Sequence, residues 1–155
     1  MRPAIKSGRG ILAKSTRAET TIQVCAMLCI DQEVAIKVID MKMIKGETHK
    51  NLLQAETEVL KLFKKPENVI EVFDIYKTKD YTYIITEYCK DGDLSKVIKQ
   101  GLSESEAVDY LKQIISGYLE ICKKRIIHRD LKPANILIKD NTIKIADFGF
   151  ATKQY

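Results

Sequence analysis

Short runs of β-branched and aromatic residues, separated by polar turn residues, predict that much of this chain forms β-strands. The predicted strands span 34–39, 69–76, 81–88, 136–138 and 143–145. Polar four-residue segments, 77–80 and 139–142, join two pairs of these strands. Each of these pairs is therefore predicted to be a hairpin.

Two further segments carry apolar residues at helical spacing. The first, 49–64, ends before Pro66. The second, 104–124, opens with Ser103 and Glu106 three residues apart, which is the spacing of a capping box. Its apolar stripe contains Val108, Leu111, Ile115, Tyr118 and Cys122. This mixture of elements predicts two small layers that meet at a loop-lined cleft, and not a doubly wound parallel sheet.

Two charged residues fall in apolar surroundings. Strand alternation places Lys37 between Ala35 and Ile39 on one face of the first strand. Glu56 lies in the inward stripe of the first helix, whereas Glu58 points away from it. That stripe contains Leu52, Glu56, Val59 and Phe63. A buried carboxylate is costly unless a cation meets it, so Lys37 and Glu56 could satisfy each other. The residues alone leave it equally open that both lie at an edge and reach solvent.

The composition is that of a folded protein. Of 155 residues, 45% are hydrophobic, and 26 lysines and arginines stand against 21 aspartates and glutamates, which excludes an intrinsically disordered chain. Seven glycines and three prolines exclude a collagen-like or low-complexity chain. The length suits one ordinary domain. A net charge of +5 spread over the whole chain supports nucleic-acid binding only weakly, so no nucleic-acid partner is expected.

The apolar runs and the cysteines predict a cytoplasmic protein. The longest apolar run, 24–30, has seven residues, so no membrane span and no secretory signal are expected. The four cysteines form no CxxC pair, which favours buried reduced thiols over a metal site. They are Cys25, Cys29, Cys89 and Cys122.

The first 18 residues contain five basic residues and no acidic one. The simplest interpretation is a solvated, poorly ordered tail. A mitochondrial transit peptide and a basic docking patch remain alternatives.

Three short motifs carry the candidate chemistry. Loop 128–135 reads His-Arg-Asp-Leu-Lys-Pro-Ala-Asn, and the segment 147–149, twelve residues after Asn135, reads Asp-Phe-Gly. They match the catalytic H-R-D-L-x-x-x-N and metal-binding D-F-G signatures of eukaryotic protein kinases, and 34–37 matches V-A-I-K on a strand. Over about residues 20 to 155 the chain therefore resembles this family.

The resemblance implies a phosphoryl-transfer site that uses ATP and Mg²⁺. Asp130 would orient the hydroxyl of a protein substrate and take its proton late, and Lys132 would steady the transferring phosphate. Asn135 and Asp147 would hold Mg²⁺, for which their oxygen atoms are suitable ligands. A Lys-Pro-Ala-Asn run after the aspartate resembles serine/threonine kinases.

The resemblance also assigns the residues around the nucleotide. Lys37, held by Glu56, would bind the ATP phosphates, and Ala35 belongs to the same nucleotide-binding strand. The packing spine between the lobes would consist of Leu60, Val72, His128 and Phe148.

Segment 86–93 resembles the hinge of the family. Thr86 would be the gatekeeper beside the adenine, and backbone groups of Glu87 and Cys89 would hydrogen-bond the base. Asp93 would lie near the ribose, although a solvated turn acid is the alternative for this residue.

The glycine-rich loop of the family is not matched. If Val24 is the final valine of G-x-G-x-x-G-x-V, the glycine positions fall on Arg17, Glu19 and Ile22. Side chains there would hinder close approach of the backbone to phosphates. The alternative, the G-x-G at 8–10, lies too far from the V-A-I-K motif and has no third glycine.

No activation segment or A-P-E follows Gly149 before Tyr155. The apolar stripe of the second helix is therefore expected to be exposed. The chain is expected to be a kinase domain truncated after D-F-G: a fragment, a mispredicted gene product or a degraded paralogue.

The expected fold class is α+β, in the two-lobe form of protein kinases. A basic tail, 1–18, would precede a small antiparallel-sheet lobe with one long helix, about 19–88, and an incomplete, mainly helical large lobe, about 89–155. The expected function is a serine/threonine protein kinase. The alternatives are a non-catalytic kinase-like module that binds a regulatory protein partner, and an inactive fragment.

Overall fold

The fold is taken from a computed structural model, which describes residues 12–14, 20–27, 32–44 and 46–154. The chain divides into two compact units. The first comprises Met1–Lys50 and Val72–Tyr88, and the second comprises Asn51–Glu71 and Cys89–Tyr155. Among the residues that the structure describes, no helix combines the length and the apolar character needed to cross a membrane.

The first unit contains a five-stranded antiparallel sheet in the order β1-β2-β3-β5-β4. Its strands are β1 (Leu12–Lys14), β2 (Thr20–Met27), β3 (Gln32–Asp40), β4 (Val72–Lys77) and β5 (Tyr81–Glu87). The predicted alternation in β3 is confirmed, because Val34 and Ile36 are buried and form a core cluster with Ile85. Ala35 and Lys37 therefore lie on the opposite face of β3.

Strand β1 lies inside the segment that the sequence assigns to a basic tail. Its backbone pairs with β2 in the register Leu12↔Gln23 to Lys14↔Thr21, so the sheet begins earlier than expected. The formation of a three-residue edge strand depends on its pairing partner, and three residues are too few to show a clear alternation of apolar and polar side chains in the sequence. The rest of segment 1–18 lies outside the described residues, and so do Cys29 and the glycine-loop candidates Arg17 and Glu19.

The predicted hairpin of β4 and β5 is confirmed, but β4 begins three residues later than expected. Thr78 closes its turn, because its N–H donates to the Tyr81 carbonyl at 2.8 Å and its hydroxyl oxygen accepts the Tyr81 N–H at 2.9 Å. Val69 and Ile70 pair instead with Ile145 in the second unit: Val69 through a parallel bridge, and Ile70 by donating its N–H to the Ile145 carbonyl at 2.9 Å. A competing strand partner has therefore shortened β4.

The second unit contains most of the helical residues. Its helices are α1 (Glu47–Leu60, which enters this unit at Asn51), α2 (Leu94–Gln100) and α3 (Glu104–Lys123). The sequence extends α1 to 64, but Lys65 adopts a left-handed φ of 48° before Pro66. A proline disfavours helical geometry in the residue before it, which accounts for Lys65, but α1 has already ended at Leu60. Helix α2 was missed, because the sequence predicts only a turn at 90–93.

Two short antiparallel ladders complete the second unit. They pair β6 (Ile126–Ile127) with β9 (Thr152–Lys153), and β7 (Ile136–Lys139) with β8 (Thr142–Ile145). The pair β6–β9 was not predicted, whereas the hairpin β7–β8 was. Asp140 and Asn141 form its turn with φ of 49° and 61°. Positive φ at both central residues is the requirement of a tight type I′ hairpin turn.

Helix α3 starts with the predicted capping box, in which Glu106 N–H donates to the Ser103 hydroxyl and Ser103 N–H donates to the Glu106 carboxylate. Its expected apolar stripe is exposed, as predicted: Val108, Leu111, Ile115 and Tyr118 are between 42% and 55% exposed. Cys122, at the end of this stripe, is also exposed, so the expectation of buried thiols holds for Cys89 and is wrong for Cys122. The opposite face of α3, with Gly117 and Ile121, is buried.

Replacing Gly117 by alanine is expected to destabilise the protein. A Cβ atom there would lie 2.5 Å from the carbonyl oxygen of Asn68 and 3.0 Å from Ile145 Cδ1. The first of these is a backbone atom, which cannot move aside cheaply. We expect Gly117→Ala to lower the free energy of unfolding by about 1–3 kcal/mol, the usual cost of overpacking. Helix propensity alone would raise it by about 1 kcal/mol.

Urea denaturation measures this difference, with the exposed neighbour Ser116→Ala as the control. The control is expected to stay within about 0.5 kcal/mol of the wild type. A Gly117→Ala protein as stable as the control would contradict the close packing of α3 on segment 66–70.

Candidate active site

The first unit contains the strand residues that the sequence assigns to nucleotide binding. Ala35 and Lys37 share one face of β3, and the register places Ala35 opposite Thr86 and Lys37 opposite Ile84 on β5. Residues directly opposite each other in a sheet lie on the same face, so the expected gatekeeper Thr86 stands beside Ala35. The Thr86 hydroxyl donates to the carbonyl of Glu87 at 3.1 Å.

Glu56 is buried on α1, with only 5% of its surface exposed. Glu58, two residues further, is exposed and accepts a hydrogen bond from Gln54 Nε2 at 2.9 Å. The prediction that Glu56 alone of these two acids lies in the inward stripe is confirmed. Lys37 belongs to the first unit and Glu56 to the second, and their pairing stays a prediction.

Asp130 lies at the centre of a hydrogen-bonded cluster in loop 128–135. Its carboxylate accepts from Lys132 Nζ at 2.8 and 3.0 Å and from Asn135 Nδ2 at 2.9 Å. The same Nδ2 also donates to the Asp130 backbone carbonyl at 2.9 Å. The structure thus brings together three of the predicted residues, Asp130, Lys132 and Asn135, within one short loop.

This cluster favours the ionised form of Asp130. The hydrogen bond from Lys132 is the largest cause, and it lowers the pKa of the Asp130 carboxyl. Partial burial acts in the opposite direction, and the hydrogen bond from Asn135 adds to the lowering. A carboxylate that accepts hydrogen bonds and lies beside a cation keeps its charge at neutral pH.

His128 connects this loop to the strand before Asp147. Its Nε2 donates to the Ala146 carbonyl at 3.1 Å, and its Nδ1 accepts the Asp130 N–H at 3.3 Å. These two bonds match a neutral imidazole with its proton on Nε2. Burial is the main influence on this side chain and lowers the pKa of His128, although the Ala146 carbonyl and nearby carboxylates act against it.

The hairpin β7–β8 explains the twelve-residue spacing between Asn135 and Asp147. Asn135 immediately precedes β7, and the register pairs Ile136 with Ile145 at the open end of the ladder. One residue beyond, Ala146 N–H donates to the Asn135 carbonyl at 2.8 Å. Four residue pairs and a two-residue turn therefore return the chain to the same end, where both expected Mg²⁺ ligands are located.

Asp147 has a left-handed backbone, with φ of 61°, and its Oδ1 accepts the Gly149 N–H at 3.4 Å. Such a conformation costs a non-glycine residue free energy, and it persists where surrounding contacts hold it. Arg129 in loop 128–135 has a φ of 65°, and its Nε donates to the carbonyl of Phe150 at 2.6 Å. Sequence analysis did not single out Arg129, although it lies within the matched motif.

Phe148 is buried, with 1% of its surface exposed. Its ring meets the edge of His128 at 4.8 Å between centroids and the ring of Phe63 at 5.4 Å. Phe63 was expected in the apolar stripe of the first helix but not beside Phe148. Lys124 lies over the Phe63 ring at 5.5 Å, which also ties the end of α3 to this cluster.

Asp93 has a structural role in the second unit. It is the N-cap of α2, where its carboxylate accepts the Lys96 N–H at 3.2 Å and the Ser95 hydroxyl. Partial burial raises the pKa of Asp93, but these hydrogen bonds outweigh it and the pKa lies below its ordinary value. The sequence predicted either a ribose contact or a solvated turn acid here, but not helix capping. Cys89, four residues earlier, is buried.

The donor atoms suit Mg²⁺ better than a transition metal. Within the described part of the chain, no three His, Cys, Asp or Glu side chains gather into a metal-binding cluster. The Asn135 amide nitrogen is engaged by Asp130, so its oxygen is the atom left for a cation. Mg²⁺ is commonly held by one or two protein oxygens together with substrate phosphates, and Asn135 with Asp147 fit that pattern.

Removing the Lys132 ammonium is expected to raise the pKa of Asp130. Lys132→Met keeps the length of the side chain and deletes the largest cause of the lowering. A ¹³C NMR titration of the Asp130 carboxyl measures the change. The control is Lys99→Met, in an exposed position on α2, and an Asp130 pKa that stays the same in both variants would contradict the cluster.

His128 is expected to titrate below its ordinary value of 6.5. Because the unfolded chain then binds a proton more readily than the folded one, the free energy of unfolding should fall as pH drops below about 6.5. The loss should level off below the folded-state pKa. An NMR titration of both histidines, assigned with His49→Asn, reports the pKa, and a His128 midpoint at or above 6.5 would contradict its burial.

Comparisons with known proteins show the family to which the chain belongs. The protein kinase domain family matches residues 20–155. The serine/threonine-protein kinase PLK4 of Drosophila virilis is 36% identical over 127 residues, which cover 79% of this chain and 16% of the relative.

Two further relatives are similar. PLK4 of Drosophila melanogaster is 34% identical over 137 residues, covering 86% of this chain and 18% of the relative. The CBL-interacting serine/threonine-protein kinase 2 of Arabidopsis thaliana is 38% identical over 124 residues, covering 78% and 27%. The chain thus spans about one sixth to one quarter of the length of these relatives. With the family match over most of the chain, and with the loop and hairpin geometry described above, the chain belongs to the protein kinase domain family.

Proposed function

We propose that this chain carries the phosphoryl-transfer site of a serine/threonine protein kinase, which moves the γ-phosphate of ATP to a Ser or Thr hydroxyl of a protein. The observation that supports it most is the Asp130 cluster. An ionised carboxylate, held by Lys132 and Asn135, is a suitable group to orient a substrate hydroxyl. The relatives whose names state serine/threonine kinases support the substrate class.

In the proposed reaction, the substrate hydroxyl donates a hydrogen bond to the Asp130 carboxylate. As the new bond from its oxygen to the γ-phosphorus forms, the bond from that phosphorus to the leaving oxygen of ADP breaks, and the hydroxyl proton passes to Asp130. Lys132, at 2.8 Å from that carboxylate, is close enough to neutralise charge on the transferring group. Most of the catalysis is positioning and charge compensation.

The proposal also names the residues that would bind the nucleotide and Mg²⁺. Lys37, with Glu56 as its partner, would compensate the charge of the ATP phosphates, and Ala35, Thr86, Glu87, Cys89 and Asp93 complete the proposed nucleotide-binding set. Asn135 and Asp147 would hold Mg²⁺, which when bound neutralises the phosphate charge. The proposal includes a cytoplasmic location.

Two substitutions separate binding from transfer. Asp147→Asn removes a proposed Mg²⁺ ligand and is expected to abolish the Mg²⁺-dependent stabilisation by ATP. That stabilisation is about 2.7 kcal/mol at a hundredfold excess over Kd. Asp130→Asn is expected to keep this stabilisation and to slow transfer about 10²–10⁴-fold, the usual contribution of a positioned base.

Thermal melts with and without Mg²⁺ and ATP, and phosphate transfer to a Ser/Thr-rich protein such as casein, provide the two measurements. The control is Asp109→Asn, an exposed carboxylate on α3. A wild-type melt that is insensitive to Mg²⁺ and ATP would contradict the proposal. Stabilisation without any transfer would support the non-catalytic binding module instead.

A further inference from the structure

Gln113 connects α3 to the start of β8 through both atoms of its amide. Its Oε1 accepts the Ile143 N–H at 2.9 Å, and its Nε2 donates to the Asn141 carbonyl at 3.2 Å. Asn68 Nδ2 donates to the same Oε1 at 3.4 Å. One half-buried side chain therefore satisfies a backbone donor and a backbone acceptor at the turn end of the hairpin.

The same turn is held from its other side by the segment that precedes α2. Asp91 Oδ2 accepts the Asp140 N–H at 2.7 Å, and Lys90 Nζ lies 2.6 Å from Asp140 Oδ1. Both turn residues, Asp140 and Asn141, have left-handed backbones. Contacts on two sides thus hold a turn conformation that non-glycine residues adopt at a cost.

Strands β7 and β8 form a ladder of only four residue pairs, and single bridges connect it to Val69 on the β8 side and to Asp93 on the β7 side. A two-stranded hairpin is marginally stable by itself, so its place in the fold must come from contacts with other elements. The turn end, which Gln113 holds, is about 10 Å along the strands from the open end. Asn135 and Asp147 are located at that open end, and the ladder together with the Ala146–Asn135 hydrogen bond connects them to the turn.

We propose that Gln113 is a positioning residue for the Mg²⁺ site. By holding the turn end of β7–β8 against α3, it sets where Asn135 and Asp147 lie at the opposite end of the hairpin. The inference rests on the function proposed above, since Gln113 acts on Mg²⁺ and ATP only through those two residues.

The test compares Gln113→Met, which deletes both amide bonds, with Lys112→Met on the same helix. Lys112 is exposed and pairs only with the exposed Asp109 in its own helix among the contacts seen, at 3.2 Å. Mg²⁺ is titrated into each protein at fixed ATP, and ATP binding is measured separately in EDTA. We expect Gln113→Met to need about tenfold more Mg²⁺, equivalent to about 1.4 kcal/mol, with its Kd for ATP in EDTA unchanged.

A loss of fold stability alone would not produce this split between the two measurements. A second readout needs no ligand: the Ala146 amide, which donates to Asn135, should exchange with solvent about tenfold faster in Gln113→Met. Gln113→Glu keeps the acceptor for the Ile143 N–H and should lie nearer the wild type. If Gln113→Met does not fold, Gln113→Glu is compared with Lys112→Met in its place.

The failure of this inference differs from the failure of the proposed function. If Asp147→Asn raises the Mg²⁺ requirement and Gln113→Met behaves like Lys112→Met in both readouts, the positioning role is overturned and the proposed function stands. If the wild-type protein binds ATP equally with and without Mg²⁺, the proposed function is overturned, and the positioning role with it.

Discussion

The pairing of β7 with β8 is the constraint on which the rest of the candidate site depends. Asn135 and Asp147 are twelve residues apart in sequence, and only a tight hairpin returns the chain so that both lie at one end of the ladder. The bond from Ala146 N–H to the Asn135 carbonyl extends that ladder beyond its last paired strand residues. Ala146 at the open end of the hairpin also accepts a hydrogen bond from His128, so loop 128–135 and the segment of Asp147 form one hydrogen-bonded assembly.

Aromatic packing gives this assembly its apolar support. The Phe148 side chain is buried and contacts both His128 and Phe63, so the loop that carries Asp130 and the segment just after α1 contact the same ring. Burial keeps His128 neutral, and the neutral ring is what can donate from one nitrogen and accept at the other. Packing and hydrogen bonding here support each other, because loss of either would leave buried polar atoms without partners.

Charge is concentrated where the proposed chemistry needs it. Lys132 stabilises the negative charge of Asp130. The residues Arg129 and Asp147, one before Asp130 in the sequence and one after it, both have left-handed backbones. Strained backbone in both motifs indicates that contacts such as the one from Arg129 to Phe150 outweigh the local cost. In the same way, the hydrogen bonds of Gln113 to Asn141 and Ile143 help to hold the strained turn at the opposite end of the hairpin.

The sequence by itself determined the family, the hairpin β7–β8, the capping box of α3 and the position of Glu56 in the inward stripe of α1. Each of these depends on residues close together in the chain, where spacing and side-chain chemistry suffice. Only the tertiary structure decided that β4 begins at Val72, that Phe63 packs on Phe148 and that Gln113 holds β8. Such contacts join residues far apart in sequence, and several partners compete for the same backbone groups. The packing of the whole unit decides which partner binds these groups, and a local sequence pattern does not contain that information.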